Sequence, residues 1–130
     1  MKIIGMVGTR KRDRASDYRI TKKKFFEIYE PGDWLCSGGC SQGGDRFADK
    51  IAKYYGIPIL IFYPNKSKLP KDAKRWNYRE INYERNTLIA ETSNVIIACV
   101  TEDRKGGTED TLEKFSNKKI KGQVDLVWKK

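Results

Sequence analysis

The sequence has no histidine, which excludes Ser-His-Asp triads and His-based general acid–base chemistry and removes the usual nitrogen ligand of zinc. Any proton transfer falls to carboxylates, tyrosine, lysine or cysteine. Cysteine is scarce: Cys36, Cys40 and Cys99 make an odd count of three without a secretion signal, the pattern of reduced thiols rather than a disulfide framework. Cys36 and Cys99 fall inside apolar runs and read as core, whereas Cys40 sits in a glycine-rich loop at a spacing unlike a zinc knuckle. No metal site and no cofactor is expected. No apolar run approaches the ~20 residues of a bilayer span, and the opening residues 1–4 are too short for a signal peptide. The expectation is a cytoplasmic protein with no membrane partner.

What the chain has in excess is positive charge. Lys and Arg number 27 against 17 Asp and Glu, a net charge of +10 over 130 residues. That balance favours an anionic partner. The length allows one sheet under two helical layers, so residues 1–130 are expected to form a single domain with one ligand site.

Short apolar runs alternate with amphipathic stretches, the mark of repeated βαβ units. Strands are predicted at 3–7, 34–36, 57–62, 95–100 and 124–128, and helices at 18–30, 45–55, 77–92 and 108–115. In the second helix Asp45 reads as N-cap and Gly56 as C-cap, with Phe47, Ala48, Ile51, Ala52 and Tyr55 on one face. Right-handed crossovers leave two common strand orders, Rossmann-like 3-2-1-4-5 and flavodoxin-like 2-1-3-4-5. The first is preferred, so the expected fold is α/β, a Rossmann-like three-layer sandwich on a five-stranded parallel sheet. Its direction of growth reverses between the first and fourth strands. A crevice should open there, beside Gly8 and the loop after Val100, with the loop 37–44 as its adjacent wall.

Three loops and one helix carry the chemistry. Ser37, Gly38 and Gly39, followed by Gly43, Gly44 and Asp45, lie between a strand and a helix, where glycines let backbone N–H groups converge on an anion. The alternative is a tight strand-to-helix turn that binds nothing. Lys105, Gly106, Gly107, Thr108 and Glu109 open the fourth helix at the switch point, with Thr108 able to cap it. Gly8, Thr9 and Arg10 begin a basic loop that completes the crevice. Arg85 falls on a stripe with Ile81, Leu88, Ile89 and Thr92 that should face the sheet. A guanidinium so directed suits phosphate, the alternatives being an ion pair with a carboxylate such as Asp45 or Glu109 or snorkelling to the surface. Lys22, Lys23 and Lys24 read as surface lysines available to a nucleic acid.

The combination of Ser37-Gly38-Gly39, Gly43 to Asp45, Arg85-Asn86 and Gly107-Thr108 resembles the SLOG superfamily of Rossmann-like nucleotide binders, over nearly the whole chain. That group includes the Lonely Guy phosphoribohydrolases and the DNA-processing protein A. The resemblance is closest to its short stand-alone members, and dimerisation is common among relatives. It implies that Gly38, Gly39, Gly43, Gly44, Gly107 and Thr108 hold a ligand phosphate and that Arg85 assists. Lonely Guy enzymes carry a Glu three residues after the Thr; here that position is Thr111, so the carboxylate is missing.

The leading expectation is therefore a nucleotide or nucleotide-derived ligand bound through its phosphate, in a sensor or carrier. Ligand contacts are expected from Gly8, Thr9, Arg10, Ser37, Gly38, Gly39, Gly43, Gly44, Asp45, Arg85, Asn86, Gly106, Gly107 and Thr108. One alternative is N-glycosidic bond hydrolysis of nucleoside monophosphates, with Arg85 and either Glu109 or Glu113 in the catalytic role. Another is single-stranded nucleic-acid binding, with Tyr63, Trp76 and Tyr78 beside Lys66, Lys68, Lys71 and Lys74. A homodimer through Trp76, Tyr78 and Tyr83 is a further expectation.

Overall fold

A computed structural model describes residues 1–40 and 42–118, together with the backbone of 123–127. In chain order the elements are β1 (Ile3–Gly8), α1 (Ala15–Ile28), β2 (Trp34–Ser37), α2 (Gly44–Tyr55), β3 (Ile59–Ile61), α3 (Arg75–Thr92), β4 (Val95–Cys99), α4 (Gly107–Ser116) and β5 (Gln123–Val127). A single 3-10 turn, Lys66–Lys68, interrupts the connection into α3.

The fold is α/β on a parallel sheet. The strands with described side chains run β3-β2-β1-β4, with Ile3 opposite Trp34 and Gly8 opposite Cys99. Because β1 lies between β2 and β4, the flavodoxin-like order is excluded. The backbone of β5 pairs parallel to the outer side of β4, and Trp128, predicted to end that strand, lies outside the described residues.

Both faces of the sheet are covered, which is why the strands read as unbroken apolar runs. Alternate side chains of β4 serve the two sides. Ile97 and Cys99 join Ile4, Met6 and Leu35 beneath Phe25 of α1 and Phe47 and Ile51 of α2. Ile96 and Ala98 join Val7, Cys36 and Val100 beneath Ile89 and Ala90 of α3 and Leu112 and Phe115 of α4. Each such large side chain, fully buried, stabilises the fold by about 1.5–3 kcal/mol.

Several boundaries differ from the sequence expectation for local reasons. α1 begins at Ala15 rather than residue 18, because the Asp17 carboxylate accepts the Arg14 backbone N–H at 3.3 Å and closes the first turn. α3 begins two residues early in the same way, with Asn77 Oδ1 accepting the Lys74 N–H at 2.9 Å. The N-cap of α2 is Gly43, not Asp45, and that of α4 is Gly106, not Thr108. β3 is confined to Ile59–Ile61, since the Ile57 N–H is already bonded to Ala52 O and extends the end of α2. Gly56 does cap α2, in the left-handed conformation at φ 67°. Leu88, expected to face the sheet, is 46% exposed; the inward stripe of α3 is Ile81, Asn86, Ile89 and Ala90.

One close approach fixes the edge where ligands bind in such sheets. A Cβ on Gly44 would sit 2.3 Å from the carbonyl of Val7, so the start of α2 crosses the end of β1 backbone against backbone. No helix among the described residues is long and apolar enough to cross a membrane.

Candidate functional site

A crevice of ≈ 620 Å³ opens where β1 and β4 end and the chain leaves the sheet in opposite directions. Its size falls within the ~300–1,000 Å³ usual for small-molecule sites, and the switch point is where open α/β sheets place them. One wall is the loop Gly8, Thr9, Arg10 and Lys11, and the opposite wall is Lys105, Gly106, Gly107 and Thr108 with Thr111 behind them. The long side is one face of α3, Arg75, Tyr78, Arg79, Asn82, Tyr83 and Asn86, at steps of three and four residues. Val7 and Ile89 lie below, and Cys40 and Asp45 close the inner end.

Arg85, from the middle of α3, is half-buried and reaches across to the loop after β2. Its Nη1 donates to the Gly38 carbonyl at 2.5 Å and its Nε to Asn86 Oδ1 at 3.0 Å. Asp45, only 8% exposed, lies on the far side of the same glycine and accepts the Cys40 N–H at 3.1 Å. Burial raises the Asp45 pKa, opposed by the Cys40 N–H and by the nearby positive charge of Arg85. A Cβ on Gly38 would stand 2.5 Å from Arg85 Nη1 and 2.9 Å from Asp45 Oδ2. A side chain at this position would have to displace the Arg85 guanidinium or the Asp45 carboxylate.

Asn86 is buried and joins α3 to the start of α4. Its Nδ2 donates to Gly107 O at 3.2 Å and to Asp110 Oδ2 at 3.1 Å. Thr111 Oγ1 donates to the same carbonyl at 3.4 Å. These bonds hold the Gly106–Thr108 turn, in which Gly106 adopts φ 108° with open space around it.

Of the residues expected from sequence, Gly8, Thr9, Arg10, Asp45, Arg85, Asn86, Gly106, Gly107 and Thr108 line the crevice. Ser37, Gly38, Gly39, Gly43 and Gly44 do not: they build its wall. Gly39 packs on Tyr63 and Ile61, Gly43 and Gly44 press on the backbone of residues 7–9, and the Gly43 N–H is taken by Asp13 Oδ1 at 2.8 Å. Ser37 Oγ is buried and has no hydrogen-bond partner among the described residues. The two carboxylates considered for catalysis are outside the lining. Glu109 is gripped by Arg104 through two bonds of 2.8 and 2.9 Å, and Glu113 is exposed. Thr111 is the residue that faces the crevice at that level of α4.

Sequence reasoning missed Arg79 and Asn82, although their spacing from Arg75, Tyr78 and Asn86 follows one helical face. The electrostatic consequence is one-sided. Arg10, Lys11, Arg75, Arg79, Arg85 and Lys105 line the space, against one lining carboxylate among the described residues, that of Asp45. Elsewhere Lys2, Arg12, Arg46, Lys68, Arg104 and Lys114 pair with carboxylates. Arg10 acts electrostatically on Asp45, and Lys11 and Lys105 on Asp103, without a direct side-chain hydrogen bond, and no ion pair is seen for Arg75 or Arg79 among the described residues.

A neighbouring cavity of ≈ 530 Å³ lies on the other side of the residue 9–14 loop, lined by Lys11, Arg12, Arg14, Ser16, Asp17 and residues 101–103. Its charges are balanced and partly paired, as in Arg12 Nη1 to Asp17 at 3.4 Å. The fold and site together define an α/β chain with a cationic crevice at the C-terminal edge of a parallel sheet. No family model, curated protein or solved structure matches the chain.

Proposed function

We propose that the chain binds a nucleotide or nucleotide-derived ligand in this crevice, as a sensor or carrier, on a Rossmann-like five-stranded sheet of order 3-2-1-4-5. The observation that carries the reading is the gathering of Arg and Lys side chains and the Gly106–Gly107 turn around one crevice at the switch point. Phosphate is held by backbone N–H groups at the start of α4, with Lys105 and Arg10 beside them. Tyr78, 48% exposed, offers a ring face for a base, while Lys114 lies over the ring of Tyr83. Hydrolysis of an N-glycosidic bond is disfavoured, because Thr111 occupies the position from which a carboxylate would reach the ligand.

A thermal-shift comparison of AMP with adenosine tests the reading. AMP at 100 times its Kd stabilises the fold by about 2.7 kcal/mol, and the variant Arg10→Gln/Lys105→Gln loses most of that shift. Equal responses to AMP and adenosine, or none to either, contradict it.

Single-stranded nucleic acid is a second reading, supported by Trp76, 59% exposed, and Tyr78 among Arg75 and Arg79 at the outer end of the crevice. It requires affinity for an oligonucleotide that falls steeply with salt. A flat salt dependence rules it out.

A further inference from the structure

We infer that Asp45 accepts a hydrogen bond from the ribose hydroxyls of the ligand, so that the crevice takes ribonucleotides in preference to deoxyribonucleotides; the inference rests on the nucleotide reading and deepens it. The first argument is chemical type. Asp45 supplies the one lining carboxylate among the described residues, buried at the inner end of a crevice whose other charged side chains are Arg and Lys. An ionised carboxylate only accepts hydrogen bonds, through about four lone-pair sites on its two oxygens. Oδ2 takes the Cys40 N–H at 3.1 Å. Burial raises the Asp45 pKa in spite of the Cys40 and Gly38 N–H groups and the positive charges of Arg85 and Arg10, so the carboxylate gains from a further donor. A phosphate oxygen is repelled at this place, whereas a sugar hydroxyl donates to it.

The second argument is placement. Asn86 Nδ2 donates to the Gly107 carbonyl at 3.2 Å, Arg85 Nε donates to Asn86 Oδ1 at 3.0 Å, and Arg85 Nη1 donates to the Gly38 carbonyl at 2.5 Å. Asp45 Oδ2 lies 2.9 Å from where a Cβ on Gly38 would stand. Two neighbouring residues of α3, with Cα atoms about 3.8 Å apart, therefore bridge the glycine turn to the loop that carries the carboxylate. Asn82 and Tyr78 line the same helix about one and two turns farther out. In a nucleoside 5′-phosphate the base and the phosphate-bearing carbon leave one face of the ribose ring and the hydroxyls leave the other. With phosphate on the Gly106–Thr108 turn and the base outward on Tyr78, the hydroxyl face turns toward the inner end, where Asp45 lies.

Isothermal titration with AMP, 2′-deoxy-AMP, 3′-deoxy-AMP and 2′,3′-dideoxy-AMP tests the inference on the wild-type chain and on Asp45→Asn. AMP is expected to bind about tenfold or more tightly than the dideoxy nucleotide, and the two monodeoxy nucleotides show which hydroxyl carries the difference. Asp45→Asn should weaken AMP far more than the dideoxy nucleotide, whereas a merely structural role weakens both alike. A measurement on the wild-type chain keeps the test decisive if the variant fails to fold. The amide of Cys40, which donates to Asp45, should shift on addition of AMP and much less on addition of the dideoxy nucleotide. Equal affinity for AMP and the dideoxy nucleotide, a preference undiminished in Asp45→Asn, or a Cys40 amide that moves alike with both overturns the inference while the nucleotide reading stands. Binding of none of the four overturns both.

Discussion

Arg85 Nη1 and Asp45 Oδ2 both close on Gly38, and a Cβ placed on that glycine would meet them at 2.5 and 2.9 Å. A cation from α3 and a buried carboxylate from α2 thus clamp the loop after β2, and the inner end of the crevice inherits its shape from that clamp. Gly38→Ala should cost about 1–3 kcal/mol through overpacking against these groups. Gly106→Ala meets no atom within 4 Å and strains only its backbone at φ 108°, a cost of about 1–3 kcal/mol without any clash. Urea unfolding measures both, and the conservative rescue Gly38→Ala/Arg85→Ala should recover part of the first loss but none of the second.

Asn86 is the joint between α3 and α4. Replacing it by Leu removes donors to Gly107 O and Asp110 Oδ2 and should destabilise by about 1–3 kcal/mol. AMP affinity should fall as well, because the Gly106–Thr108 turn loses its anchor. A variant of normal stability with wild-type affinity would show that the turn is held by other means.

The stability of the chain should weaken in acid partly through Asp33. Burial opposes ionisation of this carboxyl, but hydrogen bonds from Lys2 Nζ at 2.5 Å and from the Lys2 and Glu30 N–H groups at 2.9 Å prevail and hold its pKa below the ordinary value. A depressed carboxylate contributes stability above the unfolded pKa of about 4 and loses it as pH falls through the folded value. Asp33→Asn is therefore expected to be less stable than wild type at pH 7, with the gap closing below about pH 4. Asp45 carries the opposite sign: burial raises its pKa, so its charge costs stability at neutral pH and that cost is relieved on acidification.

The thiols divide by environment. Burial pushes Cys36 up to about 12 and Cys99 up to about 11, so neither supplies thiolate at neutral pH. Cys40 is half-exposed in the crevice. Iodoacetamide on the native chain should modify Cys40 alone, all three in denaturant, and AMP should slow the native reaction. Equal labelling of Cys36 or Cys99 in the native state would contradict the burial of these strands.

How much of this was legible depended on whether a residue's direction is encoded locally. The strands were readable because a sheet covered on both faces leaves long apolar runs, as at Val95 to Cys99. Gly56 announced the end of α2 because a left-handed cap demands glycine. The glycines of 38–44 announced a turn, but nothing local says whether a glycine faces a ligand or another backbone; Gly44 faces Val7. Likewise Glu109 reads as a free carboxylate until Arg104 is seen to hold it. This face of α3 escaped notice because Arg79 and Asn82 look like ordinary surface until the fold makes them one side of the crevice.

In the proposed complex, phosphate enters between the Gly8–Arg10 loop and the Gly106–Thr108 turn. Amide chemical shifts of the isotopically labelled chain, recorded while AMP is added, test it most directly. The amides of Gly8, Thr9, Gly106, Gly107 and Thr108 are expected to move together and saturate with one Kd. Shifts confined to Lys22, Lys23, Lys24 and the residue 66–74 loop, or no shifts at all, would contradict it.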